Sequence, residues 1–175
     1  AMVGGTDSPF GEVPGLGADA FTANPLLGID ALEPMVAAAE SAGAGVVAPV
    51  RTSNPGAADV EDLQTPEGPV HEKLAAIVDG FSGRLASSGG TLSGMGAVVG
   101  ATEPEHIARL RELMPRAVFL VPGVGAQGGR PENLGPAFTP GRAAALVPAS
   151  RSIAGSPDPG QAAEDLREAV WAVSS

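Results

Sequence analysis

Cysteine is absent from these 175 residues, and so is tyrosine; there is one tryptophan, and one lysine stands against nine arginines. Without cysteine there is no disulfide, no thiolate metal ligand and no sulfur nucleophile. With only five phenylalanines beside that tryptophan, the core has to be aliphatic and alanine-rich, which suits close packing of helices on strands. Positive charge is scarce too: 20 acidic side chains face 10 basic ones, for a formal net charge of −10. Nucleic acid and anionic membranes both require basic surface, so neither is expected as a partner. No apolar stretch approaches the ~20 residues that span a bilayer, and no basic-then-apolar segment opens the chain; the expected location is cytoplasmic. His71 and His106 fall on separate predicted helices with no ligand spacing between them and read as surface histidines. No metal is expected. Acidic pairs such as Glu61-Asp62 and Glu164-Asp165 read as solvated faces, and Trp171 as packing.

Glycine and proline, by contrast, are abundant, at 25 and 17 residues, and they cluster at the ends of apolar runs. The densest cluster is Pro122-Gly123-Val124-Gly125-Ala126-Gln127-Gly128-Gly129, directly after the run Ala117–Val121. Glycines let a backbone turn through positive φ and approach a ligand with no Cβ in the way. Free N–H groups in such a turn form a concavity suited to an anion. Gln127 is the one side chain of the loop that both donates and accepts hydrogen bonds. Further on, the run Ala144–Pro148 leads into Ala149-Ser150-Arg151-Ser152, and the planar fork of an arginine suits a phosphate. Two strand ends of this kind predict a phosphate site. The spacing Gly123-x-Gly125-x-x-Gly128 also matches a dinucleotide fingerprint, but no clear helix and no ribose-binding acid follow it.

The same phrase recurs five times: an apolar run, a polar Gly/Pro-rich corner, then a helical pattern. The runs are Ala18–Ala23, Gly45–Val50, Gly96–Gly100, Ala117–Val121 and Ala144–Pro148. Helices are predicted to about Ala42 with Asp30 as cap and Glu33 completing a capping box, over Val70–Ala86, over Glu103–Met114 with Thr102 as cap, and over Pro159–Val173. Strands alternating with helices at this spacing predict an α/β fold with a parallel sheet, and ligands at the carboxyl ends of the strands. Residues 1–175 read as one domain, with 1–17 as the tail of a helix and a loop. An eight-unit barrel takes about 250 residues; five units predict a chain cut from a longer one.

In order along the chain, Asn24-Pro25-Leu26-Leu27-Gly28, Thr52-Ser53-Asn54-Pro55-Gly56, Gly96 through Thr102, Pro122 through Gly129 and Ser150-Arg151-Ser152-Ile153 resemble the strand ends of orotidine 5′-phosphate decarboxylases, in the bacterial subgroup with a Ser-Asn-Pro corner. The resemblance runs from about Thr6 to Val173. It implies a (β/α)₈ TIM barrel, of which this chain carries the fourth to eighth units, a homodimer formed through the strand-end face with active sites near the subunit interface, and conversion of orotidine 5′-phosphate to UMP and CO₂ with no cofactor. By motif, Ser53 looks like the residue bonded to the pyrimidine, and Gln127 like the one that reaches both phosphate and pyrimidine. Arg151 looks like the phosphate grip, helped by backbone N–H groups around Ser150 and by Gly128 and Gly129, while Pro122 would line the base pocket. Asn24 and Thr102 sit at matching strand ends without a defined role.

One departure from the family stands out. Its catalytic Asp-x-Lys-x-x-Asp stretch, in which the lysine protonates the carbon losing CO₂, has no counterpart here. The only lysine, Lys73, falls in the predicted helix over 70–86. The resemblance therefore implies a phosphate- and pyrimidine-binding half with no catalytic residue of its own. Two alternatives are a non-catalytic nucleotide- or phosphate-binding partial barrel, which would have to shield edge strands near Phe21 and Leu146, and another sugar-phosphate barrel enzyme.

Overall fold

A computed structural model describes residues 2–175. In chain order the elements are β1 (Gly5–Ser8), β2 (Gly11–Pro14), β3 (Ala20–Thr22), α1 (Ile29–Ala42), β4 (Gly45–Arg51), β5 (Gln64–Thr65), β6 (Gly68–Pro69), α2 (Val70–Gly80), β7 (Ser93–Val99), α3 (Pro104–Leu113), β8 (Ala117–Leu120), β9 (Ala145–Leu146), α4 (Arg151–Ala154) and α5 (Pro159–Val173). Strands β3, β4, β7, β8 and β9 form one parallel sheet in that order. The strand order never reverses, as it does in a doubly wound sheet; these strands follow one another like the staves of a barrel. They are the five predicted runs, with β3 at one edge and β9 at the other.

Side chains alternate across a strand, and here the alternation sorts core from open face. Val46, Ala48, Val50, Met95, Ala97, Val99 and Phe119 are buried on the side covered by α1, α2 and α3. Leu32, Val36, Leu74, Val78, Ile107 and Leu110 come down from those helices into the same core. Pro49, Val98 and Leu120 share the other face and are half-buried. Leu146, in register with Leu120, is 60% exposed.

Several expected details come out differently. Residues 5–14 form an antiparallel hairpin with Ser8 opposite Gly11, where the tail of a helix and a loop are predicted; its strands are solvent-exposed and carry no alternating apolar pattern to signal them. The N-cap of α1 is Gly28, at φ 95°, with no side-chain bond. Asp30 lies within the first turn, and Glu33 pairs with Arg84 and does not close a capping box. Glu103, not Thr102, occupies the N-cap of α3, again without a side-chain bond. Helix α2 stops at Gly80, six residues before its predicted end at Ala86; Gly80 and Gly83 are poor helix formers. Three short 3₁₀ helices, Pro131–Asn133, Gly135–Phe138 and Arg142–Ala144, stand between β8 and β9 in place of an α-helix, in a stretch broken repeatedly by Pro and Gly.

That irregular stretch is held by one buried cation. Arg111, at the end of α3, is 6% exposed. Its Nη1 donates to the carbonyls of Met114 (3.0 Å) and Ala117 (2.7 Å), and its Nη2 to those of Ala137 (2.7 Å) and Ala144 (3.1 Å). The guanidinium lies 3.7 Å from the centre of the Phe119 ring. Burial pushes its pKa down to about 10, so it remains charged at neutral pH. Replacing Arg111 with Met removes four hydrogen bonds to buried carbonyls and is expected to destabilise the fold by about 3 kcal/mol, measured as a lower urea midpoint; an unchanged midpoint would show the staple to be dispensable.

Candidate functional site

Because the strands are parallel and neighbouring, their carboxyl-end corners arrive side by side. The hydrogen-bond ladder continues past the regular strands: Gly100 N–H donates to the Arg51 carbonyl (2.7 Å), Ala101 N–H to Pro122 (2.8 Å) and Val121 N–H to Leu146 (2.8 Å). The Ser53 corner, the Gly100–Ala101 corner, the Pro122–Gly129 loop and the Ser150–Ser152 turn thus share one edge.

Ser53 is the wedge between them. Its Oγ donates to Gln127 Oε1 at 2.8 Å, across 74 residues of chain. The approach is so close that a Cβ on Gly100 would lie 2.8 to 2.9 Å from the Ser53 backbone and Cβ. A Cβ on Gly123, at φ 104°, would meet Ser53 Cβ at 2.9 Å and Gln127 Oε1 at 3.1 Å. Both positions accept only glycine while Ser53 stays in place.

Beside this contact is a cleft of about 240 Å³ lined by Pro122, Gly123, Gln127, Ser150, Arg151 and Ser152, among others. Pockets that enclose a drug-sized ligand run to ~300–1,000 Å³, so the cleft fits part of a nucleotide better than the whole. Arg151 is exposed, and among the described residues it has no ion-pair partner, while Arg51, Arg84, Arg109, Arg130 and Arg167 all pair with carboxylates. The first amides of α4 have no intrahelical acceptor either. A larger apolar cavity of about 360 Å³ lies between β9 and α5, but its arginines are engaged, Arg142 over the Trp171 ring and Arg167 with Glu164.

Not every predicted residue meets there. The amides of Gly128 and Gly129 donate to the carbonyls of Gly125 (2.9 Å) and Gly123 (3.0 Å), so they close the loop and are not free for an anion. Asn24 Oδ1 accepts from Leu26 N–H at 3.0 Å and caps a short 3₁₀ helix. Thr102 does not line the cleft.

A polar cluster behind the Ser53 corner was missed from the sequence. Arg51 is 6% exposed, and its Nε and Nη2 each donate to Asp62 at 2.9 Å. His71, 4% exposed, has Nδ1 at 2.9 Å from the Glu61 carbonyl and 3.1 Å from Asp62 Oδ1. Its ring meets that of His106 edge-on, with centroids 4.7 Å apart. His71 is therefore no surface histidine, and Glu61-Asp62 is no solvated face: α2 and α3 pack side by side and bring the group together. The Arg51 hydrogen bonds hold the Asp62 carboxyl below its usual range, against the opposing effect of burial. Burial first, then the charges of His71 and Arg51, lower His106, while Asp62 and Glu105 oppose.

Comparison with known proteins adds the decisive observation. The sequence profile of the orotidine 5′-phosphate decarboxylase / HUMPS family matches residues 13–166. The chain belongs to this family. It is similar to the orotidine 5′-phosphate decarboxylases of Halorubrum lacusprofundi (47% identity, covering 66% of this chain and 38% of that protein) and Thermomicrobium roseum (40%, covering 89% and 53%). The solved Leishmania donovani OMP decarboxylase superposes with a TM-score of 0.75 at 30% identity, over 90% of this chain and 58% of that one. This decarboxylase-family chain spans about half the length of the curated relatives it matches.

Two outcomes are expected. Gly100→Ala should force Ser53 away from Gln127, so a crystal structure of the variant should show that hydrogen bond broken and the sheet intact; overpacking of this kind costs about 1–3 kcal/mol. Folded His106 binds its proton less readily than the unfolded chain, whose value is near 6.5, so its contribution to stability is complete above that pH and is lost as pH falls through the lowered folded value. Urea melts between pH 7.5 and 5 should show this loss, and His106→Gln should flatten it.

Proposed function

We propose that this chain carries the phosphate- and pyrimidine-binding half of an orotidine 5′-phosphate decarboxylase site, which converts orotidine 5′-phosphate to UMP and CO₂ in pyrimidine biosynthesis. The observation that carries the reading is the Ser53–Gln127 contact beside a cleft holding an arginine with no ion-pair partner among the described residues. Arg151 grips the phosphate with the Ser150–Ser152 turn, Gln127 bridges phosphate and base, Ser53 serves the pyrimidine, and Pro122 lines the base side. Family membership supports a cytoplasmic homodimer formed through the strand-end face.

The proton donor of this chemistry is a lysine in the family resemblance, and the only lysine here, Lys73, lies exposed on α2 in a pair with Glu67. That placement favours binding without turnover by these 175 residues. The second reading, a non-catalytic nucleotide-binding partial barrel, shares the same cleft.

Calorimetric titration of UMP tests the site. Weak binding is expected, reduced at least about tenfold by Arg151→Ala, because a charge-assisted hydrogen bond contributes ~1.5–3 kcal/mol. Orotidine 5′-phosphate should be bound without release of CO₂. Indifference of UMP binding to Arg151 would overturn the assignment, and CO₂ release by this chain would overturn the division of labour.

A further inference from the structure

The Ser53 corner lies beyond the regular part of β4, and side chains from Glu61 and Asp62 hold it. Glu61 Oε2 accepts the Thr52 N–H at 2.8 Å, and Glu61 Oε1 accepts the Thr52 hydroxyl at 3.0 Å. The Thr52 carbonyl accepts from Arg51 Nη1 at 2.7 Å, and the same guanidinium is clamped in a fork by Asp62. That carbonyl belongs to the peptide plane that enters Ser53, so both polar backbone groups of Thr52 are fixed just before the residue that meets Gln127. Asn54 Oδ1 lies 2.7 Å from the same Thr52 hydroxyl, whose single proton is shared between that oxygen and the Glu61 carboxylate. Glu61 is anchored in turn from α2, where the His71 N–H donates to the Glu61 carbonyl at 2.8 Å.

We infer that Glu61 is a positioning residue for Ser53: its carboxylate, acting through Thr52, sets the Ser53 hydroxyl against Gln127 and so governs recognition of the pyrimidine side of the ligand, leaving the phosphate grip untouched. The inference rests on the reading that Ser53 serves the pyrimidine and Arg151 the phosphate. Half-buried Glu61 lines a separate pocket of about 280 Å³ with Pro49, Thr52 and Asn54, and it is not among the residues lining the Ser150–Arg151 cleft. A carboxylate suits the role because it accepts two hydrogen bonds at once from a backbone N–H and a hydroxyl of one residue. Charge-assisted bonds of this kind also hold geometry more tightly than neutral ones.

The test is a double-mutant cycle on the 175-residue chain, with UMP and inorganic phosphate as the two probes. Ser53→Ala is expected to weaken UMP about fivefold, the effect of one neutral hydrogen bond. Glu61→Ala should weaken UMP by a similar factor, leave the dissociation constant for phosphate unchanged, and add nothing in the Ser53→Ala background. Glu61→Gln, which keeps the shape and can still accept the Thr52 N–H, should restore part of the UMP affinity, and it answers the question even if Glu61→Ala does not fold. Equal losses for UMP and phosphate, additive losses in the double variant, or UMP binding untouched by either Glu61 variant would each overturn the inference while the proposed site stands. Failure of the unsubstituted chain to bind UMP would instead remove the site reading on which the inference rests.

Discussion

Three hydrogen bonds made just past the ends of regular strands carry the candidate site: Gly100 to Arg51, Ala101 to Pro122, and Val121 to Leu146. Each is a rung of the parallel ladder extended by a residue or two into a corner that would otherwise be loop. A parallel sheet in which consecutive strands are neighbours has all its carboxyl ends on one side, but that alone brings corners only within reach of one another. The extra rungs lash them together, so that a serine at one strand end can press against the backbone of the next and bond a glutamine beyond it. The two glycines on which Ser53 rests follow from that closeness.

Charge in this acidic chain is organised around buried arginines rather than around carboxylates. Arg111 has no acidic partner among the described residues: its two Nη groups donate to four carbonyls and its plane lies against a phenylalanine ring, while its buried Nε has no hydrogen-bond partner. Arg51 is satisfied by Asp62 and the Thr52 carbonyl. Breaking a buried pair leaves the surviving group without compensation, so each cation enforces the geometry around it: Arg111 the irregular passage from β8 to β9, Arg51 the corner at the end of β4. Arg151 has no such partner among the described residues, which leaves its guanidinium open to an anion from outside the fold.

Much of the fold was legible because it rests on local signals. Strand β4 and helices α1 and α5 lie nearly where the apolar runs and their Gly, Pro and Asn punctuation place them, and Asp158 caps α5 by accepting from Gln161 N–H. The hairpin of residues 5–14 was not legible. Its strands are solvent-exposed and short, and nothing in their pattern reports pairing. The caps assigned to Asp30 and Thr102 do not form because Gly28 and Glu103 hold those positions: Asp30 lies two residues past the cap of α1, inside the first turn, and Thr102 one residue before the cap of α3, outside the helix.

By itself the sequence determined the α/β order, the strand-end placement of Ser53, Gln127 and Arg151, and the resemblance that joins them, since each is a matter of residue type and spacing along the chain. Tertiary structure alone decided which groups touch. It set Ser53 on Gly100 and Gly123, turned the Gly128 and Gly129 amides inward, and drew buried His71 and Arg51 together with half-buried His106 and Asp62 into one cluster. These contacts join residues far apart in the chain, and whether two such groups meet depends on which helices pack side by side and how far each strand runs before it turns, quantities that no local pattern encodes.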